Sequence, residues 1–121
     1  MALNIVEEAM LKTLAVMTRA DAHVLQVEVD MVVDIMKEEM GVTLTSADVR
    51  VAAHSEFIEG REIEKYVKSV RKKLSLEDRK RITRTLKKVV LSDGDTHPFE
   101  VDMFNKVAKT LELTPAQLVQ L

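Results

Sequence analysis

Two acidic stretches, 72 positions apart, constrain this chain more than any other feature. Asp93 to Glu100 reads DGDTHPFE, and Asp21 to Glu28 reads DAHVLQVE, each with an acid at both ends and the same seven-residue step between them. The flanks keep the same register: Leu14 answers Leu86, Met17 answers Val89, Met31 answers Met103 and Ile35 answers Val107. A repeat that holds register across a turn points to a duplicated supersecondary unit. A third match, LTSADV at Leu44 and LTPAQL at Leu113, lies 69 positions apart, as though three residues were missing from one loop.

The periodicity around these stretches is helical. Leu3, Val6, Ala9, Met10, Leu14 and Met17 recur at helical spacing, and Leu11, Ala15 and Val16 widen the stripe. A helix apolar around this much of its girth belongs in the centre of a bundle. Asn4 and Glu7 have capping-box spacing at its start, and the pattern predicts a helix to about Ala20. A second helix is expected over Gln26 to Met40, stopped by Gly41, and a short third one capped by Thr45 or Ser46 and fading near Phe57. Gly60 reads as a break before a fourth helix near Arg61 to Lys73. Ser75 and Asp78 cap a fifth, which runs to Leu91. Pro98 falls in the first turn of a sixth, and Thr114 with Pro115 opens a short seventh. No segment alternates with period two between turn signals. The expected fold is therefore all-α, about seven helices in one domain over 1–121. It is built as two similar helix–acidic turn–helix–short helix units in pseudo-twofold relation, joined by a basic helix pair.

Charge sharpens that picture. The first 64 residues carry five bases against thirteen acids, Lys65 to Lys88 carries eleven bases against two acids, and the remainder two bases against five acids. Such asymmetry marks a solvated face or a partner surface. The basic segment has a single aromatic, Tyr66, and no helix-turn-helix signature, which disfavours nucleic acid. A protein partner is the functional reading for this face. With no cysteine in 121 residues, disulfides, thiolate metal sites and cysteine nucleophiles are excluded. No apolar run approaches membrane-spanning length and the N-terminus lacks the basic region of a secretory signal, so a cytoplasmic protein is expected. The oligomeric state is not legible.

The pattern of a long apolar helix, then Ala-Asp-Gly, a spacer and a Glu opening the next helix resembles the tellurite-resistance TerB-like family. In the first unit Ala20, Asp21, Val24 and Glu28 match, while Ala22 stands where the family has Gly. In the second, Asp93, Gly94 and Glu100 match, Ser92 replaces the Ala and Thr96 replaces an aliphatic residue. The resemblance covers nearly the whole chain. It implies an internally duplicated all-α fold, a stress-response role without a defined enzymatic reaction, and acidic residues that hold a divalent metal.

The residues themselves allow such a site. Hard cations of the Ca²⁺ or Mg²⁺ class take several carboxylate and carbonyl oxygens. Asp21, Glu28, Asp93, Asp95 and Glu100 are the candidate ligands. If the two units meet about a pseudo-twofold axis, Asp21 and Glu28 approach Asp93 and Glu100. Their mutual repulsion would then call for a cation or a base. The plain structural reading makes the same acids turn and helix-start residues that serve their own backbone. The EF-hand spacing is absent, and Pro98 falls inside the window. His23 and His97 lie in the acidic stretches, but they and His54 show no zinc spacing. Seven methionines are core filler in this reading, three glycines cannot build a phosphate loop, and no catalytic triad can be assembled.

Overall fold

The computed structural model describes residues 3–17, 26–54, 60–91 and 98–121. Among them are seven α-helices and no strand: α1 (Ile5–Met17), α2 (Gln26–Met40), α3 (Ser46–His54), α4 (Gly60–Val70), α5 (Leu76–Leu91), α6 (Pro98–Thr110) and α7 (Pro115–Val119). A single 3₁₀ turn, Arg71–Lys73, links α4 to α5. The all-α expectation holds. Gly60 opens α4 rather than breaking the chain before it. The predicted continuation of α1 to Ala20 and the fading of α3 toward Phe57 lie outside the described residues.

Why each helix starts where it does is visible in the side chains. Four of them, α1, α3, α5 and α7, open with a reciprocal capping box. Asn4 and Glu7 exchange bonds of 2.9 and 2.8 Å, and Thr45 and Asp48 bonds of 2.9 and 3.1 Å. Ser75 with Asp78 and Thr114 with Gln117 do the same. Each box satisfies two backbone N–H groups that a helix start leaves without partners. The Thr45 bonds, backbone first and hydroxyl second, hold the Asp48 carboxyl below its ordinary pKa. Helices α2 and α6 instead begin within the last three residues of the acidic stretches.

The helix starts keep the sequence spacing. Those of α1 and α5 are 71 positions apart, those of α2 and α6 are 72 apart, and those of α3 and α7 are 69 apart. The ends of α2 and α6 also correspond. Gly41, at φ +67°, closes α2 with its N–H on the Lys37 carbonyl at 3.0 Å. Glu112, at φ +60°, closes α6 in a Schellman motif, in which Leu113 N–H reaches Ala108 O and Glu112 N–H reaches Lys109 O. The residue after each, Val42 and Leu113, is buried. A non-glycine residue in the left-handed region costs roughly 1–2 kcal/mol. Glu112 recovers part of this through Arg71, whose Nε lies 3.1 Å from its carboxylate, but an exposed pair of this kind is worth little. Glu112→Gly is therefore expected to raise the unfolding free energy by about 0.5–1 kcal/mol, read from the urea midpoint. An unchanged or lowered midpoint would show that the ion pair outweighs the backbone cost.

Helix α1 is the shared element of the bundle. It packs against α2 and α3, which also pack on each other, and against α4, α5 and α6. Met10, Leu14, Ala15 and Met17 are wholly buried along it, as its apolar girth predicts. Met36, Met103 and Ile63 fill the space opposite from α2, α6 and α4. Thr13, Thr83 and Thr85 are buried polar side chains whose hydroxyls donate to the carbonyls four residues earlier, so none is left without a partner. Tyr66 ties α4 to α1. Its hydroxyl donates to Glu8 at 2.9 Å, and the Lys12 ammonium sits 4.5 Å from its ring centre.

Candidate functional site

Two of the acidic residues singled out in the sequence, Glu28 and Glu100, stand at helix starts. Asp21, Asp93 and Asp95 lie outside the described residues, as do His23 and His97. Glu28 is partly buried in the first turn of α2. Glu100 occupies the first turn of α6, and its side chain lies outside the described residues. Both glutamates are the third residue of their helix. Side chains of a helix tilt toward its N-terminus, and the first turn carries N–H groups without intrahelical partners and the positive end of the dipole. Each glutamate thus belongs to the end of the helix that the preceding acidic stretch enters.

Lys88, in the last turn of α5, reaches Glu39, in the last turn of α2, at 3.1 Å. Among the described residues no group of three or more His, Asp or Glu side chains is gathered for a metal. The candidate donors are all carboxylates, with no thiolate, which fits a hard cation such as Ca²⁺ or Mg²⁺ and not a soft one.

A sequence model of the tellurite resistance protein TerB matches residues 7–121. The chain belongs to that family. No curated protein and no solved structure shows significant similarity to it. The TerB match spans both acidic stretches, the basic helices between them and all seven helices, apart from the first residues of α1. Among the described residues no helix is long and apolar enough to cross a membrane.

In this TerB-family chain the basic face divides into parts with different roles. Arg71 and Arg79 are structural. The Arg71 guanidinium donates to Thr110 O at 3.0 Å, and that of Arg79 to Leu111 O at 2.8 Å, so both serve carbonyls at the C-terminal end of α6. Positive charge there also complements the helix dipole. Lys80 and Lys88 pair with Glu77 and Glu39. Lys65 and Lys68 face Lys106 and Lys109 across a groove of about 620 Å³ between α4 and α6. Lys106 and Lys109 lie outside the basic run of the sequence, so only the packing of α4 on α6 reveals this cluster.

Proposed function

We propose that this TerB-family chain is a non-enzymatic, cytoplasmic tellurite-resistance-type module whose acidic inter-helix turns each bind a hard divalent cation of the Ca²⁺ or Mg²⁺ class. Asp21 and Glu28 would hold one ion, and Asp93, Asp95 and Glu100 the other. The observation that carries the reading is the equivalent placement of Glu28 and Glu100, each third in the helix that its acidic stretch enters. A carboxylate at that position, with acids five to seven positions before it, supplies oxygens from both sides of a turn. Backbone carbonyls and water complete the six to eight ligands that Ca²⁺ takes. A bound cation would tie α1 to α2 and α5 to α6, so occupancy reads out as stability.

The test is a thermal melt of metal-stripped protein with and without Ca²⁺, Mg²⁺, Mn²⁺ and Zn²⁺, repeated on Asp93→Asn with Glu100→Gln. A ligand that binds only the folded state stabilises it by about 2.7 kcal/mol at a hundredfold excess over its Kd. The expected result is a saturable rise in Tm with a hard cation, diminished in the double variant. No shift with any ion, and a loss of only about 1 kcal/mol in the double variant, would reduce these acids to helix-start residues. A second reading, protein interaction through the basic face of Lys65 to Lys88, is favoured by the groove between α4 and α6 and does not compete for the same residues.

A further inference from the structure

The groove between α4 and α6 presents Lys65, Lys68, Arg71, Lys106 and Lys109 against one acid, Glu64. Two of these bases are engaged: Arg71 with Glu112 at 3.1 Å and Lys106 with Asp102 at 3.2 Å. Lys65, Lys68 and Lys109 are exposed and have no ion-pair partner among the described residues. Lysines three apart on one helix are neighbours, with Cβ atoms about 5–6 Å from each other. The cations therefore form two facing rows with helical spacing. Like charges so placed repel, and the free protein bears that cost until an anion enters.

The same chain carries the complementary pattern. Along α2, Val29, Val32 and Met36 are buried, while Asp30, Asp34 and Glu38 are exposed on the opposite side. These acids recur every fourth residue and span about 12 Å of helix. Asp30 accepts a bond from Gln26 at 2.8 Å, whereas Asp34 and Glu38 have no ion-pair partner among the described residues. Helix α2 packs with α3 on α1, and α4 packs with α6 on α1, so stripe and groove belong to the two helix groups that α1 separates.

We propose that the α4–α6 groove docks the acidic stripe of α2 from a second copy of this chain, giving a head-to-tail, salt-sensitive self-association. Carboxylates and cations both recur about once per helical turn, the acids four residues apart and the lysines three, and docking relieves like-charge repulsion on both surfaces. The stripe is mainly charged, with Val27 as an exposed apolar residue at its N-terminal end, so the contact is weak and dependent on ionic strength, since exposed charges are screened beyond about 10 Å at 0.1 M salt. Because groove and stripe are different surfaces, the contact is heterologous and each docked pair leaves one groove and one stripe free.

Sedimentation of the full chain over a wide concentration range, at low and at high salt, tests this with two variants. One is Lys68→Glu with Lys109→Glu, and the other is Asp34→Lys with Glu38→Lys. All four positions are exposed, and helical circular dichroism checks the fold. The wild type is expected to gain average mass with concentration at low salt and to return to the monomer at high salt. Each variant alone is expected to stay monomeric, because its stripe and groove then carry the same sign. An equimolar mixture of the two is expected to associate again, because each supplies what the other lacks. A wild type that stays monomeric at low salt, a variant that associates as the wild type does, or a mixture that fails to associate would overturn the proposal. So would a groove that takes up inorganic pyrophosphate while no self-association occurs.

Discussion

Leu14→Ala is expected to lower the unfolding free energy by about 2–5 kcal/mol, the range for leucine truncations in well-packed cores. Leu14 has 0% exposure and lies on α1, which touches α2, α3, α4, α5 and α6. A helix held on this many sides cannot shift to close a cavity against one neighbour without opening one against another, so the upper half of the range applies. Domains of this size unfold with total free energies of roughly 5–15 kcal/mol, and the loss removes a large share of that. Urea unfolding at pH 7 checks the value. The internal control is Leu118→Ala on α7, where the side chain is only partly buried and less than about 1 kcal/mol is expected. Equal effects at the two positions would contradict the central role of α1.

The second large effect is at Arg79. Its guanidinium donates to Leu111 O at 2.8 Å, and its Nε is buried without a partner among the described residues. Arg79→Met keeps much of the apolar stem but removes the donor and the charge at the end of α6. Hydrogen bonds from charged groups are worth about 1.5–3 kcal/mol, and the Leu111 carbonyl is left without this donor. Removing the orphaned Nε offsets part of that, so about 1.5–2 kcal/mol is expected, measured by urea midpoint at constant m-value. Arg81→Met on the same helix serves as the comparison, and a small change is expected there, because no hydrogen bond to a helix end is lost. A drop no larger than that of Arg81→Met would mean that water satisfies the Leu111 carbonyl just as well.

Much of this fold is written locally. Asn4 with Glu7, Ser75 with Asp78, and Thr114 ahead of Pro115 announce their helices, because a cap and its partner lie three residues apart. Gly41 announces a helix end, because its left-handed conformation favours glycine. The equivalent end at Glu112 carries no such mark, since there a glutamate occupies the left-handed conformation and Arg71 pairs with it across the bundle. The basic segment is likewise only partly legible in the sequence. Read as a run, it is one face; in three dimensions Arg71 and Arg79 turn to the end of α6, while Lys65 and Lys68 meet Lys106 and Lys109 from a separate helix. Charge runs report composition along the chain, and tertiary packing decides which charges become neighbours.

The candidate metal residues show a similar division. The matched spacing of the two stretches places Glu28 and Glu100 at helix starts, and each is third in its helix, α2 and α6. Whether the two acidic stretches share a site depends on how the helices run past one another, which no local motif encodes. The Lys88–Glu39 pair, joining the last turns of α5 and α2, is a long-range contact of this kind.

A calorimetric titration of metal-stripped protein with Ca²⁺ and with Mg²⁺ tests the central claim most directly. Two acidic turns acting apart predict saturable binding of two ions per chain, with one ion remaining in Asp93→Asn, Glu100→Gln. Binding of a single ion that the double variant abolishes would instead place both acidic stretches at one shared centre. No saturable heat with either ion would contradict the metal-binding account.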